Sequence, residues 1–146
     1  MKYSTKSRYA LRLMVDLTLH ANGDYIALKD ISERQNISVK YLEQIVSVLG
    51  KAGMLKSVRG PQGGYKLAKD PSEYTAGDIL RITEGNLAPI PCLENEENDC
   101  DRISQCATLD FWKGLYDTVN SYVDGVTLQD LAERFKLKSS IDNIAL

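Results

Sequence analysis

The 146-residue chain has little of what most enzymes and exported proteins depend on. It holds a single histidine, His20, so no Ser/His/Asp constellation can be recognised in it. It has no Cys-x-x-Cys pair of the kind that poises a thiol for redox catalysis. An enzyme is therefore not expected. No apolar run approaches the roughly 18 residues that a bilayer span requires, so no membrane association is expected. The opening Met1-Lys2-Tyr3-Ser4-Thr5-Lys6 lacks the apolar core of an export signal, and the expected location is the cytoplasm. There are only three cysteines, all between positions 92 and 106. An odd number in an unexported chain argues against a disulfide framework. Internal repeats are absent too.

Acidic residues are scarce in the first half and basic ones in the second. Residues 1–70 carry 12 Lys/Arg against 6 Asp/Glu, whereas residues 71–146 carry 6 against 14. The net charge of −2 hides this split, which is that of a polyanion-binding module joined to something else.

The periodicity predicts a helix over residues 5–21, with Ala10, Leu13, Met14, Leu17 and Ala21 on one stripe and Leu11 and Val15 on a second. Two stripes imply cover on two sides. A short helix follows at 28–35, with Leu28 and Ile31 inward and Ala27 a poor N-cap. Asn36 tolerates the left-handed conformation of a helix stop. Ser38 then caps a third helix, whose Leu42, Ile45, Val46 and Leu49 form a buried face opposite Lys40, Glu43, Gln44, Ser47 and Lys51. Gly53 ends it. Leu55–Val58 and Tyr65–Leu67 read as strands around Arg59-Gly60-Pro61-Gln62-Gly63-Gly64. Short helix, tight turn, amphipathic helix and hairpin, in that order, describe a winged helix-turn-helix. The expected fold is mainly α with a small β-hairpin wing.

A major groove about 12 Å wide admits one helix. The third helix offers it Ser38, Lys40, Tyr41, Glu43, Gln44 and Ser47, residue types that read base edges or phosphates. Arg59 at the mouth of the loop suits a narrowed minor groove, and the loop glycines, Gly60 among them, permit close backbone approach. Double-stranded DNA is the expected partner. The simpler alternative is a solvated helix face and a hairpin whose glycines serve only its turn.

Thr75-x-x-Asp78 opens a fourth helix that runs to about Glu84 and Gly85. Residues 86–105 are irregular and hold the acidic run Glu94–Asp99. A long helix is expected from Thr108 to Asp124, with a wide stripe of Leu109, Trp112, Leu115, Tyr116, Val119, Tyr122 and Val123 suited either to a subunit interface or to core packing. Thr127-x-x-Asp130 starts a last short helix with Leu128, Leu131 and Phe135 inward; the tail 136–146 is unassigned. The domain plan is thus a DNA-binding domain over 1–84, a cysteine loop over 85–106, and a long and a short helix over 107–135. Cys92, Cys100 and Cys106 are spaced x7 and x5. Three thiolates in one loop can converge on zinc or an iron–sulfur centre, or they can be unliganded thiols.

Ser4-Thr5-Lys6, Arg8-Tyr9-Ala10, Asp30-Ile31-Ser32-Glu33-Arg34-Gln35, Tyr41-Leu42-Glu43-Gln44 and Val58-Arg59-Gly60-Pro61-x-Gly63-Gly64-Tyr65 together resemble the IscR family of winged-helix regulators, over residues 1 to about 135. Relatives of that family include the cysteine-metabolism repressor CymR and the nitric-oxide sensor NsrR. The resemblance implies a transcription regulator acting as a homodimer on an imperfect palindrome, with the long helix as dimerisation helix. It implies DNA contacts at Ser38, Lys40, Tyr41, Glu43, Gln44 and Arg59, with Gly60 and Gln62 of the same loop. It also implies a cluster, 2Fe–2S, held by Cys92, Cys100 and Cys106, and control of iron–sulfur cluster biogenesis or related metabolism. CymR-like relatives lack the cysteine cluster, so a cluster-free regulator of cysteine metabolism with thiol redox sensing is the alternative.

The chain departs from the pattern at five places, one of them the gap between Cys92 and Cys100, which is two residues longer than in IscR-like sensors. Lys40 and Gln62 differ, so the operator sequence does not carry over. Leu109 stands where IscR-like sensors have a ligand histidine, and Arg8 where NsrR-like sensors have an acidic ligand. Asp99, Asp101, Asp110, a glutamate of the acidic run or an outside group is left as fourth ligand. His20 is expected at the surface.

Overall fold

A computed structural model describes residues 2–95 and 106–144, with side chains through Ser140. Six helices and one hairpin follow in the order α1 (Thr5–Leu19), α2 (Leu28–Gln35), α3 (Val39–Lys51), β1 (Leu55–Val58), β2 (Gly64–Leu67), α4 (Ala76–Glu84), α5 (Leu109–Asp124) and α6 (Leu128–Ile144). Short 3-10 turns occupy Pro71–Glu73 and Pro91–Leu93.

The start and stop signals act locally as their chemistry dictates. The Ser4 and Ser38 hydroxyls accept from the third backbone N–H of α1 and α3, at Ser7 and Tyr41. Asn36 ends α2 at φ 55°. Ala27 makes no side-chain cap at the start of α2. Thr75 and Asp78 close a reciprocal capping box on α4.

One core cluster holds the molecule together: Ala10, Leu13, Met14 and Leu17 of α1 meet Ile31 of α2, Leu42, Ile45, Val46 and Leu49 of α3, and Ile79 and Leu128. Leu11 and Val15 flank it as the second stripe, and Leu11 also reaches a smaller cluster of Leu80, Leu87 and Val123. α1 is thereby the central post of the molecule.

Four local expectations need correction. The first helix stops at Leu19, so Ala21 lies outside it and is exposed. Gly64 belongs to β2, where it pairs with Val58. The last helix is long, because Leu128–Ile144 continues through the segment left unassigned. Phe135 on it points outward at 53% exposure, while Leu128 and Ala132 carry the packing.

Tertiary pairing adds what no single segment announces. Ile26 forms a third, one-residue rung on the wing sheet through mutual hydrogen bonds with Tyr65 (2.9 and 2.8 Å). Thr75 and Thr127 pair antiparallel, so the capping boxes of α4 and α6 start side by side.

Candidate nucleic-acid interface and cysteine segment

α3 presents the predicted face. Ser38, Lys40, Glu43, Gln44 and Ser47 are exposed, opposite the fully buried Leu42, Ile45 and Leu49. Ser38 uses an oxygen lone pair on the Tyr41 N–H at 3.1 Å, which leaves its hydroxyl proton to be donated outward. Tyr41 differs from the others. It is half-buried, with its ring edge-on to Tyr9 of α1 at 5.6 Å and 84°. Only part of it is available to a ligand.

The wing carries Arg59, Gly60, Pro61 and Gln62 exposed at its tip. Gly60 has φ 110°, which L side chains rarely adopt. Gly63 and Gly64 have a reason inside the chain itself. A Cβ on Gly63 would collide with the Val58 carbonyl, and one on Gly64 with the Ile26 backbone. The close approach at these two glycines is to this protein's own backbone, as the simpler alternative has it. The base of the wing is pinned by Tyr74, whose hydroxyl donates to the Met54 carbonyl (2.7 Å) and accepts from the Ala68 and Lys69 N–H groups (both 3.0 Å). Burial pushes the Tyr74 phenol up from its ordinary value, so it stays protonated and keeps donating.

On the side of α5, the wide stripe divides. Leu109 and Val123 are buried within the chain, and Val123, Tyr116 and Val119 pack with Leu80 and Leu87. The other edge faces outward, with Tyr122 at 64% exposure and Phe111, which the sequence reading left off the stripe, at 67%. α5 is tied to α4 by Arg81, which binds both oxygens of Asp124 (2.7 and 2.9 Å) and the Asn120 side-chain oxygen (2.9 Å). Gly77 makes room for this: a Cβ there would strike the Asp124 carboxylate.

Of the three cysteines, Cys92 is half-buried in the turn Pro91–Leu93 and Cys106 is exposed just before α5. Cys100 lies outside the described residues, as do Asp99 and Asp101. The Thr108 N–H and hydroxyl, with the Leu109 N–H, hold the Cys106 thiol below its ordinary range, and its Sγ lies 3.8 Å from Thr108 Oγ1. A thiol that gives up its proton easily is what a soft metal centre takes as ligand. Of the three thiols, Cys92 and Cys106 lie among the described residues, and their chemistry is that of soft-metal ligands. Leu109 cannot supply a fourth ligand, being an alkyl side chain and buried in the core. Arg8 is exposed and donates to Thr5 Oγ1 at 3.0 Å. Asp110 is exposed in the first turn of α5. Among the described residues no three His, Cys, Asp or Glu side chains gather into a metal site. His20 is at the surface, as expected, capping the end of α1 with a ring nitrogen 3.0 Å from the Asp16 carbonyl.

Two polar clusters were not foreseen. Asp16 is completely buried, and Arg34 and Gln35 of α2 bind its carboxyl group. The available signal was an acid between Leu13 and Leu17 on the core helix. At the other end of α1, Glu84 accepts from the Ser4 N–H (2.6 Å) and from the buried Ser7 hydroxyl, which also meets Thr83. Those hydrogen bonds lower the carboxyl of Glu84 and lock the end of α4 to the start of α1.

An exposed recognition-type helix, a basic-tipped wing and a long helix with one free apolar edge define a winged-helix DNA-binding regulator. The family assignment is specific: the chain belongs to the Rrf2 family, described as "Iron-dependent Transcriptional regulator", whose profile matches residues 3–134. It is 42% identical over 132 residues to the HTH-type transcriptional regulator CymR of Bacillus subtilis, covering 90% of both chains. It is 40% identical over 131 residues to the regulator IscR of Aliivibrio salmonicida, covering 90% of this chain and 77% of that one. The solved structure of CymR, the global cysteine regulator of B. subtilis, superposes with a TM-score of 0.77 at 41% identity, covering 92% of this chain and 98% of the other. No described helix is long and apolar enough to cross a membrane.

Proposed function

We propose that this Rrf2-family transcription regulator works in the cytoplasm as a homodimer on an imperfectly palindromic operator, and that an iron–sulfur cluster, 2Fe–2S, tunes its promoter choice. In this reading Ser38, Lys40, Glu43, Gln44 and part of Tyr41 meet the major groove, while Arg59, Gly60 and Gln62 meet the adjacent minor groove and its phosphates. Two copies associate through the open edge of α5, where Phe111 and Tyr122 are exposed. Cys92, Cys100 and Cys106 hold the cluster. When bound, such a group supplies a response to iron, sulfur or oxidant supply.

The observation that carries the DNA reading is the joint exposure of the α3 face and the Arg59 wing on one folded unit. The cluster reading rests on three thiols between α4 and α5, one of them with a lowered pKa. Residues at both ends of the loop bear on the rest of the chain: Leu87 and Leu109 are buried, and Glu84 is bonded to α1. A bound state can shift the regulator only by its differential affinity for two arrangements of that loop. The targets expected are genes of iron–sulfur cluster biogenesis or related metabolism.

A second reading is favoured by the CymR likeness, which spans nearly all of both chains. It is a cluster-free regulator of cysteine or sulfur metabolism whose thiols sense oxidant directly. Absorbance between about 300 and 500 nm, with iron and acid-labile sulfide analysis of anaerobically purified protein, separates the two. A coloured protein with matched iron and sulfide supports the cluster; a colourless one supports the second reading.

A further inference from the structure

The turn between α2 and α3 is held from outside. α2 ends at Gln35, and only Asn36, Ile37 and Ser38 separate it from α3. The last carbonyls of a helix have no partner within it. Here the Gln35 carbonyl accepts from Arg12 Nη2, and the Gln35 side-chain oxygen accepts from Arg12 Nε at 3.2 Å. The amide end of the same side chain donates to Asp16 Oδ2 at 2.9 Å. Arg34 grips that carboxylate with two bonds, Nε to Oδ2 at 3.0 Å and Nη2 to Oδ1 at 2.7 Å. Both ends of the Gln35 amide are therefore bound by α1 residues one helical turn apart. The Arg12 guanidinium also lies over the Tyr9 ring at 5.1 Å, and Tyr9 meets Tyr41 of α3 edge-on. Tyr9, Arg12 and Asp16 thus touch the end of α2 and the first turn of α3 together.

We infer that Arg12 and Asp16 are positioning residues for DNA recognition: through Gln35 and Tyr41 they set the angle at which α3 leaves the turn. This rests on the reading that α3 enters the major groove. The lever is short and steep. Residues Val39 to Ser47 span about 13 Å of helix axis, so a tilt of about 5° displaces the far end by about 1 Å. Hydrogen bonds to base edges keep their strength over a window of about 0.5 Å. A loosened clamp therefore removes base discrimination while phosphate contacts, which are less demanding, persist.

The fork geometry makes Arg12→Lys the informative variant, since it keeps the charge and loses the paired donors. Wild-type protein is first used to select a duplex from a random-sequence pool. Affinity for that duplex and for a scrambled one of equal length is then titrated over a range of salt. Arg12→Lys and Arg12→Ala are expected to lose about tenfold on the selected duplex, comparable to one mismatched base pair. They keep the scrambled-duplex affinity and the salt slope of the wild type. Asp16→Asn is expected to act in the same direction while also lowering folding yield, so the exposed Arg12 carries the test. Unchanged discrimination in both Arg12 variants overturns the inference. So does an equal loss on both duplexes with a salt slope smaller by about one, since that marks a lost phosphate contact. Failure of the wild type to select any sequence is seen before a variant is made, and it removes the DNA reading itself.

Discussion

Arg59 shows how much a single side chain can be asked to do. It stands exposed at the mouth of the wing loop, beside a glycine held at φ 110°. A guanidinium there has no structural task among the described contacts of the chain. Arg59→Ala is therefore expected to leave the thermal midpoint unchanged and to weaken binding to a selected duplex by about 1–3 kcal/mol. Anisotropy titration beside a melting curve checks both halves; wild-type affinity in the variant removes Arg59 from the interface. Asp16 is the opposite kind of residue. Its carboxyl group is wholly buried against Arg34 of the next helix, and breaking such a pair by removing one member costs about 3–5 kcal/mol.

At the scale of elements, α5 carries two faces with different duties. The edge with Tyr116, Val119 and Val123 closes the second hydrophobic cluster, and the edge with Phe111 and Tyr122 is exposed. Replacing both Phe111 and Tyr122 by serine is expected to raise the dimer dissociation constant by at least tenfold with little change in helix content, since each large aromatic withdrawn from an interface removes more than about 1.4 kcal/mol. Sedimentation velocity across a dilution series reads this directly. An unchanged dimer assigns the interface elsewhere.

Four carboxyl groups with local hydrogen-bond partners have lowered pKa values. Arg81 holds Asp124 below the ordinary carboxylate range, Ser72 does so for Asp70, Ser7 for Glu84, and Thr127 for Asp130. Each folded pKa is depressed relative to the unfolded chain. The stability that these groups contribute is thus fully present above the unfolded carboxylate value of about 4, and it is lost as pH falls through the depressed values. The melting temperature is expected to be flat from neutral pH to about 5 and to fall below about 4. Asp124→Asn should flatten that acid slope. A slope identical to that of the wild type would show that the α4–α5 bridge does not contribute to it.

For the whole molecule, the decisive question is whether the cysteine segment speaks to the DNA-reading half. Glu84 at the end of α4 is bonded to the start of α1, and α1 in turn holds the helix-turn-helix through Arg12 and Asp16. A physical route from the segment to α3 therefore exists within one chain. Cys92→Ala is expected to abolish cluster assembly, read as loss of visible absorbance and of iron, while circular dichroism and selected-duplex binding of the metal-free form persist. A variant that still assembles a native-like centre would exclude Cys92 as an essential ligand.

The sequence by itself determined the local grammar of this protein. Ser38, Asn36, and the Thr75/Asp78 and Thr127/Asp130 boxes cap or stop helices through bonds that span at most a few residues, so their effect is legible without a fold. The α3 face was legible for the same reason, because a helical period of 3.6 separates Leu42, Ile45, Val46 and Leu49 from Lys40, Glu43 and Gln44 whatever surrounds them. Tertiary structure alone decided which distant groups meet. The burial of Asp16 against Arg34, the collision that forbids a side chain at Gly64, the pairing of Thr75 with Thr127 and the outward turn of Phe135 all depend on elements far apart in the chain. A carboxylate or an aromatic ring has the same local preferences in water and in a core. Only the packing of α1 among its neighbours decides which environment it receives.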